Sequence, residues 1–293
     1  MKDVAIMKNV RLCLIILNWN SYKDTLQAIE SLADCEWAIT VVDNASSDPL
    51  EAETIRRTHP QVTVLESTRN LGYAGGMNVG LKWAAANGFS HAVLLNPDTL
   101  PSIMVIASML RMSNGYAVVG TAQVTEDLIP YVSAAHLQGR KPVPFTCESA
   151  CGEGHDVDIV SGAAILIELR TAEQLGFIDE RFFHYKEEFD YCYRVGLSGK
   201  KLRYSCGAAL IHRRGGSLSG TSPTAVYYSY RNELLFLRKH FGRFGWLSGL
   251  GLFRNALLTL LKSPAVSYSV VKGLSHGLRG IYGPTASLKK PVA

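Results

Sequence analysis

Strand-length apolar runs alternate with helical segments through the first 120 residues. Residues 11–17 form the first run, which stops at Asn18-Trp19-Asn20, and residues 25–32 read as helix. Residues 38–42 are a β-branched run ending in the turn and cap formers Asp43-Asn44-Ala45-Ser46-Ser47-Asp48. A helix over 51–58 and a strand over 62–65 follow. A glycine-rich loop from Asn70 to Gly80 leads into a helix around 81–86, and a strand over 92–95 stops at Asn96-Pro97-Asp98. Unbroken apolar strands separated by helices predict an α/β fold, a mostly parallel sheet with helices on both faces.

The pattern then loosens. Residues 123–156, with Pro130, Pro142, Pro144, Gly139, Gly152 and Gly154, read as a variable loop or small insertion. Residues 157–169 are apolar around Ser161-Gly162, a short helix covers 173–176, and an aromatic loop spans 177–184. A helix over 187–197 opens with acids, and a last strand over 202–211 leads to His212-Arg213-Arg214-Gly215-Gly216. Beyond it, Tyr227, Tyr230, Leu234, Leu237 and Phe241 lie on one helical face, with Ser229, Asn232, Glu233 and His240 opposite. Arg231 and Arg238 border the stripe, where their stems can lie along it while the heads stay wet.

The chain has 293 residues, 47% hydrophobic and 19% charged, which excludes disorder and low-complexity classes. Net charge is only +5, but it is unevenly spread: from Pro223 onward ten basic residues face one acid, so that tail carries +9 and residues 1–222 carry −4. A basic, apolar tail on an acidic body suggests an anionic surface as partner. The six cysteines, at 13, 35, 147, 151, 192 and 206, form no Cys-x-x-Cys pair, and Cys147 and Cys151 have no partner at zinc-finger spacing, so free thiols in a reducing compartment are expected. The first apolar run lacks the features of a signal peptide. The longest later run, 244–261, is interrupted by Arg254. These features predict a cytoplasmic body without a spanning helix.

Polar residues stand where the strands end: Asn18, Asp43 and Asp98. In open α/β sheets ligands bind at the carboxyl ends of strands, although turn formers and helix caps occupy the same positions. Asp98 offers a hard oxygen ligand for a divalent cation. His212, ending another apolar strand, is either a second ligand or a packed histidine. Glu187, Glu188 and Asp190 crowd one helix start, which suits the helix dipole and equally suits a general base. The glycine loop is neither a Gly-x-Gly-x-x-Gly fingerprint nor a nucleoside-triphosphatase phosphate loop, and no Gly-x-Ser-x-Gly elbow is present.

Taken in order, Ile16-Leu17-Asn18-Trp19-Asn20, Val41-Val42-Asp43-Asn44-Ala45-Ser46-Ser47-Asp48, Asn70-Leu71-Gly72 with Asn78-Val79-Gly80, and Leu94-Leu95-Asn96-Pro97-Asp98 resemble family 2 glycosyltransferases, most closely the rhamnosyltransferase-like branch. Ser161-Gly162-Ala163-Ala164, the segment from Gly176 to Phe183 and Glu187-Glu188-Phe189-Asp190-Tyr191-Cys192-Tyr193-Arg194 continue the resemblance, which covers about residues 10–240. It implies a GT-A fold, with a Rossmann-like nucleotide-sugar half over about 10–122 and an acceptor half over about 157–222. Residues 223–293 would form basic, apolar amphipathic helices that associate with a membrane or dimerise.

The resemblance further implies inverting transfer of a sugar from a nucleoside diphosphate donor to an acceptor hydroxyl, in cell-surface polysaccharide or lipopolysaccharide synthesis. Asp43 would hold the pyrimidine base, and Asn18, Asn44, Asn70, Asn78 and Asp98 would bind the donor. Asp98 matches the last acid of the Asp-x-Asp motif and, with His212, would hold Mg²⁺ or Mn²⁺. Glu188 occupies the position of the catalytic base, with Glu187 and Asp190 as alternatives. Two positions depart from the family pattern: Asn96 replaces the first acid of Asp-x-Asp, and Glu188 replaces an aspartate. The branch suggests dTDP-rhamnose as donor, then a UDP- or GDP-sugar; the basic, apolar tail suggests a place at the inner face of a membrane, where a glycan or lipid-linked acceptor would be met. The competing readings are a sugar-phosphate nucleotidyltransferase and a catalytically inactive membrane-surface protein. Nucleic acid is not an expected partner, because the basic residues form no patch.

Overall fold

A computed structural model describes residues 10–139, 141–145, 147, 154–213, 222–242, 245, 250–262 and 264–285. Cys151, the Arg214-Gly215-Gly216 run, Arg243, Trp246 and the Lys289-Lys290 pair lie outside the described residues. The strands are β1 (Leu12–Asn18), β2 (Ala38–Asp43), β3 (Thr63–Glu66), β4 (His91–Leu95), β5 (Thr99–Leu100), β6 (Val118–Val124), β7 (Pro130–Tyr131), β8 (Ala134–Gln138), β9 (Lys141–Phe145), β10 (Gly154–Val157), β11 (Ile159–Val160), β12 (Ala164–Glu168) and β13 (Leu202–His212). The helices are α1 (Tyr22–Glu30), α2 (Leu50–Thr58), α3 (Gly72–Ala86), α4 (Ile103–Arg111), α5 (Leu169–Leu175), α6 (Glu187–Leu197), α7 (Pro223–Phe241), α8 (Leu250–Lys262) and α9 (Ser267–Arg279).

The main sheet runs β10-β13-β6-β12-β4-β1-β2-β3. Strands β4, β1, β2 and β3 are parallel, as expected, while β12 enters antiparallel between β4 and β6. Every residue of β1 is buried because both faces are covered. Cys13, Ile15 and Leu17 point to one core with α3, α5 and α6; Leu12, Leu14 and Ile16 point to the other with α1, α2 and α4. Each such buried aliphatic side chain contributes about 1.5–3 kcal/mol.

Three expectations are corrected. The glycine-rich segment is not a loop: α3 begins at Gly72. A Cβ on Gly76 would lie 2.4 Å from Leu17 Cδ1, and one on Gly80 would lie 2.5 Å from Ile15 Cγ2, so the glycines bring the helix down onto β1. Of the two readings of residues 123–156, the loop gives way to the small insertion among the described residues: β8 and β9 form a hairpin that joins β11 in a separate three-stranded sheet. Pro142 and Pro144 sit in β9, the edge strand, where missing N–H groups cost little.

The third correction concerns the tail. Ser222 caps α7 by accepting the Ala225 N–H, and Pro223 opens it. The expected boundary at 222/223 marks no break in packing, because Leu235, Phe236 and Leu237 enter the same core as α3 and α6. Arg231 does not keep its head in water: it is fully buried, as is Asn232 on the face expected to be polar. α9 lies along α7, with Tyr227 Oη and His276 Nδ1 2.7 Å apart. Among the described residues no helix is long and apolar enough to cross a membrane.

Candidate active site

The carboxyl ends of β1, β2 and β4 bring the predicted polar residues to one rim. Asn18 is fully buried, and its Nδ2 lies 2.8 Å from Asp43 Oδ1, 3.1 Å from Ser46 Oγ and 2.9 Å from Glu51 Oε2. Thr25 Oγ1 donates to Asn18 Oδ1 at 2.8 Å. Ser46 donates its hydroxyl and backbone N–H to the two Asp43 oxygens, at 2.6 and 3.2 Å. Asn18 is therefore a strut that orients Asp43, and Glu51 and Ser46 belong to the same network. Neither was singled out from the sequence; the only signal was their place just past the Asp43 turn.

Asn44 and Asn70 shape the entry to α3. Asn44 accepts the Leu71 N–H at 2.9 Å and donates to Gly72 O at 3.0 Å and Asn70 Oδ1 at 3.2 Å. Asn70 Oδ1 accepts the Gly72 N–H at 2.8 Å. Asn78 faces elsewhere, tying α3 to the loop before α6 through Ile178 O at 2.8 Å, Glu180 Oε1 at 2.9 Å and the Ile178 N–H at 3.0 Å.

Asp98 and His212 meet because β5 pairs with the end of β13, Thr99 opposite His212, and Arg213 N–H donates to Asp98 O at 3.0 Å. His212 Nε2 lies 3.3 Å from Asp98 Oδ1, and both side chains are buried. The approach is close but not aligned as a hydrogen bond: Asp98 Oδ1 and Oδ2 and His212 Nε2 all lack a hydrogen-bond partner. Tyr131, which the sequence reading missed, contacts His212 Nδ1 and lies 2.5 Å from Gln123 Oε1. If Tyr131 donates to Gln123, Nδ1–H donates to Tyr131 and Nε2 presents its lone pair beside the carboxylate. Burial and the Asp98 charge push the Tyr131 phenol up, so it stays a neutral hydrogen-bonding group. Two orphaned carboxylate oxygens beside a free imidazole nitrogen fit a divalent cation, with Asp98 and His212 as its protein ligands.

Glu187 and Glu188 open α6. Both carboxyls are pushed up by burial, and Glu187 further by the Glu188 charge. Glu187 Oε2 is buried without a hydrogen-bond partner. Glu188 packs at Gly162, where an added Cβ would lie 3.6 Å from its Cβ and Cγ and 3.5 Å from Tyr73 Oη. Tyr73 donates to Gly162 O at 2.6 Å, and its phenol is pushed up by burial, then by Glu187 and Glu188. Ala163 O accepts the Asn96 N–H at 3.0 Å, so the 161–163 turn touches both Glu188 and the start of the Asn96-Pro97-Asp98 tip.

Asp190 is turned away into an ion network. It is fully buried and bonded to Arg194 Nε at 2.8 Å, Lys239 Nζ at 2.6 Å and His240 Nε2 at 2.7 Å. Burial alone would raise its carboxyl, but these hydrogen bonds and the Lys239 and Arg194 charges hold it below the usual range. It is an anchor between α6 and α7 with no free oxygen for an acceptor.

The loop before α6 is held from α7. Phe183, Tyr185 and Lys186 have φ of 67°, 67° and 75°. Asn232 Nδ2 lies 3.0, 2.8 and 2.6 Å from the carbonyls of Phe182, His184 and Tyr185. Arg231 Nη2 donates to Phe182 O at 2.6 Å, and Lys186 pairs with Glu233 at 2.6 Å. Such backbone strain persists only where the surroundings over-determine it. Arg231 and Asn232 thus set the start of α6, a role that helical periodicity could not reveal.

Residues 13–141 match the family model described as Glycosyl transferase family 2. The low-salt glycan biosynthesis hexosyltransferase Agl10 of Haloferax volcanii is 26% identical over 232 residues, covering 76% of this chain and 74% of that protein. A pre-mycofactocin glycosyltransferase of Mycobacterium tuberculosis is 27% identical over 183 residues, 59% of this chain but only 37% of that protein. Among solved structures, GalNAc-T7 with UDP, GalNAc and Mn²⁺ superposes with a TM-score of 0.61 at 16% identity, over 93% of this chain and 56% of that one. TarS residues 1–349 of S. aureus in complex with UDP gives 0.52 at 15% identity, over 92% and 89%. Residues 13–141 are thus similar to family 2 glycosyltransferases, and the chain's fold is that of the GT-A glycosyltransferases.

Proposed function

We propose that this chain is an inverting glycosyltransferase that moves a sugar from a nucleoside diphosphate sugar to an acceptor hydroxyl. The carrying observation is that the 161–163 turn contacts both Glu188, a carboxyl of raised proton affinity, and the Asn96 N–H two residues before the orphaned Asp98 carboxylate. Glu188 takes the proton of the acceptor hydroxyl, the freed oxygen forms a bond to the anomeric carbon, and the bond from that carbon to the diphosphate breaks. Asp43, oriented by Asn18 and Ser46, receives the nucleoside base, and Asn44 and Asn70 shape the neighbouring turn. A cation held by Asp98 and His212, Mg²⁺ or Mn²⁺, would offset charge on the leaving diphosphate. The similarity to a glycan biosynthesis hexosyltransferase supports a hexosyl donor and a glycan acceptor. The motif resemblance keeps dTDP-rhamnose first in the screen and a surface polysaccharide or lipopolysaccharide as the product.

The test is turnover of a panel of dTDP-, UDP- and GDP-sugars, with and without acceptor glycans. Release of nucleoside diphosphate from one donor supports transfer. Pyrophosphate release would instead show nucleotidyl transfer, and no turnover would leave a binding protein. Glu188→Gln should lose about 10²- to 10⁴-fold in rate with donor affinity kept. A near-normal Glu188→Gln beside an inactive Glu187→Gln would move the base to Glu187.

A further inference from the structure

Far from the strand tips in sequence, three soft ligands converge. Cys147 follows β9, His155 lies on β10, and Cys206 lies on β13 at the start of a register shift against β6. Antiparallel pairing sets His155 opposite Tyr204. Phe145, at the end of β9, packs its ring 5.2 Å from that of His155 and 5.6 Å from that of Tyr204. The hairpin end thereby closes over this face and delivers Cys147, whose Sγ is 3.8 Å from His155 Nε2. One ligand atom from each of Cys147, His155 and Cys206 lies within 4.8 Å of the others.

We propose that Cys147, His155 and Cys206 form a binding site for a thiophilic divalent cation, zinc in chemical preference, that clips the end of β9 to β10 and β13. At tetrahedral angles, Zn–S of about 2.3 Å and Zn–N of about 2.0–2.1 Å put neighbouring ligand atoms roughly 3.5–3.8 Å apart. The Cys147–His155 pair already has that spacing, and Cys206 needs to close by about an ångström at most. Two thiolates and an imidazole suit zinc and are a poor match for Mg²⁺, whereas Asp98 and His212 offer the harder set. Binding releases the proton of each thiol to solvent while neutral His155 gives its lone pair, so affinity rises with pH. Cys206 is buried and the other two are half-buried, and a fourth ligand such as water would complete the tetrahedron. The site is independent of the glycosyltransferase reading.

The full chain, reduced and stripped with a chelator, is titrated with Co²⁺ and then Zn²⁺. The expected result is one equivalent of Co²⁺ giving a thiolate-to-cobalt charge-transfer band that stoichiometric Zn²⁺ removes. Cys147→Ser, Cys206→Ser and His155→Gln should each weaken affinity by at least roughly tenfold, the lower end of what loss of even an outer-shell partner costs. Asp98→Ala should leave the band intact. Alkylation of the wild-type chain needs no variant to fold: Zn²⁺ should slow labelling of Cys147 and Cys206 but not of half-exposed Cys35. Equal labelling with and without Zn²⁺, a band that survives the double Cys147→Ser, Cys206→Ser variant, or a Cys147–Cys206 disulfide in the unreduced chain would each overturn the proposal.

Discussion

Asn232→Ala tests whether α7 acts on the chemistry or only on the fold. The Asn232 amide has two N–H groups shared among three carbonyls, and Arg231 Nη2 still serves Phe182 O when the amide is removed. The substitution therefore removes the amide donor from His184 O and Tyr185 O, at about 1–3 kcal/mol each. It also takes from Arg231 Nε an acceptor at 2.8 Å. Against this, Phe183, Tyr185 and Lys186 relax from left-handed backbone worth about 1–3 kcal/mol apiece. The two terms are of similar size, so the net change should be no more than a few kcal/mol, which a domain of ordinary stability survives. The relaxation, however, unseats the first turn of α6. Misplacement of a base by an ångström costs on the order of 10²-fold in rate, so kcat should fall by that factor while the donor KM stays near wild type. Denaturant unfolding gives the stability term, and saturation kinetics on the folded fraction give the split. Lost stability with unchanged kcat would refute the positioning argument, as would kcat and KM worsening only in proportion to the unfolded fraction.

The raised Glu187 and Glu188 carboxyls place the acid limb of kcat/KM above the ordinary glutamate value of about 4.3, because the base must be ionised to work. In the same window the native state holds the extra proton, so stability falls as pH rises; Glu187→Gln should raise Tm at neutral pH, and a lower Tm there would contradict the sign. Asp98→Ala should cut turnover by orders of magnitude yet leave Tm unchanged or higher, since it removes a buried carboxylate without hydrogen-bond partners; full wild-type activity in excess chelator would count against a cation there. On α8 and α9, Leu257, Leu258, Leu261, Tyr268 and Val271 are exposed beside basic residues of the tail, so the chain should sediment with anionic vesicles, weaken with salt and be released by Leu257→Ser with Leu261→Ser. Salt-insensitive solubility with a concentration-dependent oligomer would instead assign that face to a dimer.

What could be read from the sequence was what is local. The run from Leu12 to Leu17 announces a strand buried on two faces, and the acid-rich start of α6 coincides with its predicted limit. The polar tips at Asn18, Asp43 and Asp98 do end β1 and β2 and follow β4. Glycine misled at α3 because turn-forming and close-packing glycines look alike until Leu17 and Ile15 are placed beneath them. Proline misled at β9 because edge position is a property of the sheet. Arg231 and Asn232 followed the helical period, but their partners lie about fifty residues away on the Phe182 loop. The Cys147–His155–Cys206 group escaped for the same reason, since Cys206 reaches it only through the pairing of β10 with β13.

The contacts of Arg231 also order events during synthesis. Its guanidinium reaches back to Phe182 O and forward to Gly283 O, and Gly283 N–H in turn donates to Arg181 O at 3.1 Å. A nascent chain that has released every strand of the sheet, with β13 ending at His212, still lacks the groups that hold the loop ahead of Glu187 and Glu188. Folding of β1 to β4 can therefore run ahead while the Glu187–Glu188 pair waits for residues as far on as Gly283, so a chain halted after β13 would have its sheet but not the seated start of α6.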